Sequence, residues 1–230
     1  MAEFVNPIGK IRGKYGNVIG YVRENGKNCC KSAGLKRKPN GEVQKRQSIA
    51  FGATAERKRW LMVAIRLGFP GGNGYPKGFN GFVSANVMNA VSVEKIDPEA
   101  PVNPRKKAGR ELRGSIDYRK LRVAAGQLVP PSVSTEVDAE SRKVRFASPG
   151  VQLESIDCFL DDKIYGVVAG TRGKRCRVVE LGTRGEAIDT SVDFPRNVEA
   201  DEIVVYVFAA SADGKDVSDS VCLHVSSDEI

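Results

Sequence analysis

The eight residues "IVVYVFAA", Ile203 to Ala210, carry no charge, and their only polar side-chain atom is the Tyr206 hydroxyl. A run this short and this apolar suits a central strand, and it forces the rest of the chain to supply neighbours for it. Those neighbours are legible. From residue 116 onward the chain reads as strand after strand: Ile116–Ala124, Ser132–Val137, Lys143–Ala147, Lys163–Ala169, Arg175–Leu181, Ala187–Asp193, Ile203–Ala210 and Val217–Val225. The last of these contains "VSDSVCLHV", whose alternation suits a half-buried strand. Turn signals such as "SPG", "TRGK", "TRGE" and "ADGK" punctuate the series. Roughly seven short strands at this spacing are the pattern of an antiparallel β-sandwich.

The first half reads differently. "GKIRGKYGNVIGYVRENGKN", Gly9 to Asn28, lies in a β-hairpin expected over residues 8–31, with Asn25-Gly26 as a two-residue type I′ turn. Gly13, Gly16 and Gly20 weaken such strands unless a bulge or a close backbone approach requires them. "LKRKPNGE" is a basic turn. A helix is expected over Glu42–Leu67, with Gly52 as a candidate break. "FNGFVSANVMNAV" is a second helix, whose buried stripe runs through Phe79, Phe82, Val83, Asn86, Val87 and Ala90. Val93–Gly114, with three prolines, reads as a long connection. The expected class is therefore α+β, mainly β: residues 1–114 form a basic hairpin-plus-helices region and residues 115–230 an antiparallel sandwich.

Charge divides along the same line. Residues 1–130 hold 25 Lys/Arg against 9 Asp/Glu, a net of +16, and residues 131–230 hold 11 against 19, a net of −8. A basic half of this kind suits nucleic acid, an acidic protein surface, or the acidic half of another copy. The five cysteines are irregularly spaced and contain no Cys-x-x-Cys, which fits reduced thiols better than a disulfide framework. No apolar run reaches the ~20 residues of a membrane span. The first ten residues lack the pattern of a signal peptide, so a cytoplasmic or virion-associated location is expected.

Catalytic patterns fail one by one. Gly20 to Gly26 is one residue too long for a phosphate-binding loop, and Asn28 stands where Ser or Thr is required. "GGNGYPKG" follows a helix, not a strand, which removes the dinucleotide reading. His224 is the only histidine and has no visible nucleophile or metal partner. Asp161-Asp162 reads as a turn. "DGKDVSD", Asp213 to Asp219, lacks the alternating acids of a calcium loop. No catalytic residue, cofactor or metal ligand is expected. The candidates for binding a partner or nucleic acid are Lys10, Arg12 and Lys14, expected on one strand face, then Lys36, Arg37 and Lys38, then Lys45, Arg46, Arg57, Lys58 and Arg59. Tyr15 and Tyr21 are the aromatics interleaved with them that bases would stack on.

The Gly/Lys hairpin "GKIRGKYGNVIGYV…NGKN", together with "GFNGFVSANVMNAV", "IDYRKLRVAAGQLVPP" and "SADGKDVSDSV", resembles an uncharacterised bacterial protein family of about this length. The resemblance covers most of the chain and carries no catalytic residues. The second half separately resembles fibronectin type III and immunoglobulin-like modules in architecture, which by itself says nothing of activity. The expected function is that of a non-enzymatic structural or interaction protein of assembly or adaptor type. By analogy a phage-virion component fits, with the hairpin as an arm that captures a protein partner or another copy. The alternative is nucleic-acid binding through residues 10–66.

Overall fold

The computed structural model describes residues 9–34, 41–72 and 74–226, and the backbone of residues 2–4. It is α+β and mainly β, and it divides into two compact units, Met1–Asn40 and Gly41–Ile230.

The N-terminal unit is a four-stranded antiparallel sheet of β1 (Ala2–Phe4), β2 (Gly13–Tyr15), β3 (Val18–Val22) and β4 (Asn28–Ser32), in the order β1-β4-β3-β2. Tyr15 pairs with Val18, so β2 and β3 are joined by Gly16 and Asn17 alone. Gly16, at φ 59°, takes the left-handed first position of a type II′ turn. The turn between β3 and β4 corrects the expectation. Gly26 N–H donates to Arg23 O (2.9 Å) and Arg23 N–H to Lys27 O (3.0 Å), and Asn25 keeps a negative φ while Gly26 takes 79°. The loop is thus three residues, a turn closed by a left-handed glycine, not a two-residue type I′ turn. Gly20 answers to packing. A Cβ there would stand 2.7 Å from Ile11 Cγ2, so glycine lets the segment before β2 lie across the sheet. Asn28 fastens that segment: its Oδ1 accepts from Ile11 N–H and its Nδ2 donates to Gly9 O, both at 3.2 Å.

The C-terminal unit opens with α1 (Glu42–Gly68), continuous through Gly52. A Cβ at Gly52 would meet nothing, and an isolated exposed glycine costs only about 1 kcal/mol, too little to break 27 helical residues with a packed face. α2 (Phe79–Asn86) is shorter than expected. Next come β5 (Val91–Lys95) and β6 (Leu112–Ile116), an antiparallel pair at the two ends of the segment read as a bare connection. The expected strand 116–124 is not one. After Ile116 the chain runs as a buried irregular segment, with Leu121, Val123 and Ala124 at most 2% exposed. Side chains satisfy its backbone: Asn86 Oδ1 accepts from Arg122 N–H (2.7 Å), Asn86 Nδ2 donates to Arg122 O (2.8 Å), and Ser220 Oγ accepts from Val123 N–H (3.0 Å).

The remaining strands form the expected sandwich. β7 (Ser134–Asp138), β8 (Lys143–Ser148) and β11 (Ile188–Asp193) make one sheet, in the order β11-β8-β7. β9 (Lys163–Gly170), β10 (Arg175–Thr183), β12 (Ile203–Ala210) and β13 (Val221–Val225) make the other, in the order β10-β9-β12-β13. Relative to an immunoglobulin constant layout, the fourth strand, β10, has moved to the sheet of the third. β12 explains its own composition. Ile203, Val205 and Val207 face the three-stranded sheet with Val144, Phe146 and Ile188. Val204, Tyr206 and Phe208 face the other way, into a core with Leu61 and Ile65 of α1 and Phe82 of α2. The unit therefore has three layers: helices, sheet, sheet. That overturns the expected boundary at 114/115, because the helices cover the outer face of the sandwich and share its core.

Candidate interaction surface

Lys10, Arg12 and Lys14 are exposed, and among the described residues none has a carboxylate partner. Only Lys14 lies in a strand; Lys10 and Arg12 precede β2, which begins at Gly13 with φ 123°. The regular one-sided array expected of the three therefore does not form. β2 is the outer strand of its sheet, and an edge strand presents backbone groups to a further strand. Tyr15 is 61% exposed beside Val18 at 42%, and its hydroxyl donates to Arg12 O (3.3 Å). Tyr21 pairs with Cys29, and Lys31 lies over its ring at 5.9 Å. Val18 and Tyr21 are an odd number of residues apart on β3, so the two tyrosines are on opposite faces and make no common stacking platform.

Four of the five helix cations are engaged in the structure itself. Lys45 is 2% exposed; its Nζ donates to Glu111 Oε2 (2.9 Å) and to Asn103 O, so it fastens the loop before β6 to α1 and is not available to a partner. Arg46 pairs with Glu42 (2.9 Å) and donates to Val93 O (2.7 Å). Arg57 lies against Tyr118 and Glu56 (3.1 Å), and Lys58 stands 4.4 Å over the Phe79 ring. Arg59 is exposed beside Trp60, Lys174 and Arg175 in a shallow cleft of about 350 Å³. At 100° per residue, these five positions spread around α1 and do not make one stripe. Lys36, Arg37 and Lys38 lie outside the described residues.

His224, on β13, has its pKa pushed down by burial. Burial pushes the Cys176 thiol up to about 12 and the Cys222 thiol up to about 11, so both are protonated near neutrality. Asp161 is exposed while its neighbour Asp162 is buried against Arg184 (3.1 Å), so the two carboxylates do not act as a pair. Asp213 caps its own turn, accepting from Ser211 Oγ (2.8 Å) and Lys215 Nζ (2.7 Å), and its pKa is held low first by Lys215. Asp219 pairs with Arg122 (3.2 Å). Among the described residues, no three His, Cys, Asp or Glu side chains converge as a metal site, and no helix is long and apolar enough to cross a membrane.

A second surface escaped sequence reasoning. The loop between β8 and β9 exposes Leu153 at 81%, Ile156 at 87% and Phe159 at 44%, with Val129 at 42% beside it. The signal was present, as large apolar residues in a stretch with no strand pattern. No family model, curated protein or solved structure matches this chain.

Proposed function

We propose that this chain is a non-enzymatic interaction protein of assembly or adaptor type. The N-terminal sheet captures the partner and the three-layered unit acts as scaffold. The observation that supports this reading is the contrast in its cations. Lys10, Arg12 and Lys14 stand exposed at an edge strand, without carboxylate partners among the described residues, whereas Lys45, Arg46 and Arg57 are engaged by their own unit. An edge strand flanked by cations suits an acidic polypeptide or a second copy. Light scattering on the full chain, with and without duplex and single-stranded nucleic acid, tests the reading. Self-association that is lost in Lys10→Glu/Arg12→Glu/Lys14→Glu supports it. Tight nucleic-acid binding with a steep salt dependence, and no self-association, would replace it with the nucleic-acid alternative.

A further inference from the structure

The exposed apolar loop at one end of the sandwich is tied down by hydrogen bonds. Arg184, 2% exposed on its side chain, braces it from within. Its Nε donates to Asp162 Oδ2 (3.1 Å), a guanidinium N–H donates to Val129 O (2.7 Å), and its backbone carbonyl accepts from Val151 N–H (2.9 Å). Gly185 N–H donates to Leu160 O (2.9 Å), Val129 N–H to Asp157 O (2.8 Å), and Leu160 N–H to Glu154 Oε1 (3.2 Å). A loop held by this many bonds presents Leu153, Ile156 and Phe159 to water as a fixed surface. Exposed apolar clusters rimmed by polar residues mark interaction sites.

The loop itself carries charge of one sign. Residues 147–162 contain four carboxylates and no Lys or Arg. Glu154, Asp157 and Asp161 are exposed, and so is Glu186 on the adjacent turn. The cations nearest the loop are taken up by this end's own carboxylates: Arg184 is buried against Asp162, Lys163 pairs with Glu180 (3.6 Å) and Lys215 with Asp213 (2.7 Å). The complementary surface exists on the same polypeptide. Residues 9–34 contain six Lys/Arg against one acid, and their sheet exposes Tyr15 and Val18 side by side.

We infer that the acidic, apolar end of the sandwich receives the cationic N-terminal sheet of a second copy, so that the protein assembles head to tail. Resting on the function proposed above, this names the docking site for the capturing strand. Such a contact joins two different patches. It therefore leaves one of each free at the ends of a dimer, and repetition gives a ring or a filament. Apolar contact through Leu153 and Ile156 supplies affinity, and the opposed charges supply orientation and rate.

The test is sedimentation velocity on the full chain over roughly 1–100 μM. The mass should grow with concentration and shrink as salt shortens the range of the charges. Two variants carry the proof, Leu153→Ser/Ile156→Ser and Lys10→Glu/Arg12→Glu/Lys14→Glu. Both change exposed positions, so unfolding midpoints matching the parent certify that each is folded. Each alone should self-associate at least about tenfold more weakly than the parent. Mixed one to one, they should form a dimer and nothing larger, because each retains one of the two patches. A parent that stays monomeric throughout overturns the inference, as does a mixture that stays monomeric. If the triple variant loses association while Leu153→Ser/Ile156→Ser keeps it, the cationic sheet remains the capturing surface and only its docking site is wrong.

Discussion

Particular cations of the two units stand in opposite situations. In the C-terminal unit, buried cations are structural parts: Lys45 meets Glu111 and Arg184 meets Asp162, each inside the fold. In the N-terminal unit, Lys10, Arg12 and Lys14 stand in water, on a sheet whose described residues include only one buried apolar side chain, Cys29. The difference teaches that a count of basic residues says little about binding. A cation with a buried carboxylate partner contributes to stability, and one without is available to something else. Mutation separates the two kinds, because the first changes the unfolding free energy and the second changes association.

The largest effect is expected at the buried pair. Arg184→Ala strands the Asp162 carboxylate, whose Oδ1 already lacks a partner among the described residues, and should cost about 3–5 kcal/mol in urea unfolding. Replacing both partners, as in Arg184→Leu/Asp162→Leu, should recover most of that loss, because the penalty comes from the unpaired charge. Equal losses in single and double variants would show that shape, not charge, is what the site requires. Next comes a direct comparison of cations. Lys45→Ala should cost about 1.5–3 kcal/mol, and Lys10→Ala should stay within about 0.5 kcal/mol of the parent. Equal costs would erase the distinction between the units.

A third effect concerns the buried segment after β6. Asn86→Ala removes both bonds to Arg122 and should cost about 1–3 kcal/mol, with faster amide exchange at Arg122 as its local signature. The smallest effect is a pH dependence. Burial depresses the pKa of His224, so between its unfolded value and its lower folded value the unfolded chain binds more protons. Stability should therefore fall as pH drops below the ordinary histidine range. The urea midpoint of the parent should shift more between neutral and mildly acidic pH than that of His224→Gln. Identical shifts would remove His224 as the cause.

The seven strands of the sandwich were legible because their residues alternate or run apolar between turn signals, and β12 matches its expected limits, Ile203 to Ala210. What the sequence concealed was the use of the second face of β12. A run apolar on both sides needs a layer on each, and the helices that supply the second layer lie more than a hundred residues earlier. The segment after Ile116 resembles a strand for a similar reason. Leu121, Val123 and Ala124 look strand-like locally, but side chains of Asn86 and Ser220, far away in sequence, satisfy the backbone instead of a neighbouring strand. The candidate site was legible only in part. Lys10, Arg12 and Lys14 are exposed, as a cationic surface requires. Lys45 is indistinguishable from them until Glu111 folds onto it. Leu153 and Ile156 carry little signal in the sequence, because exposure, not identity, is what makes them informative.

The most direct test of a capturing sheet on a self-sufficient scaffold is the chain lacking residues 1–40, compared with the full chain in thermal unfolding and light scattering. The truncated protein should unfold cooperatively, with a midpoint within about 2 °C of the larger transition of the full chain, and should remain monomeric where the full chain associates. A truncated protein that is unfolded would place the N-terminal sheet in the scaffold's own stability. One that is folded and associates like the full chain would take capture away from that sheet. Either result contradicts the account.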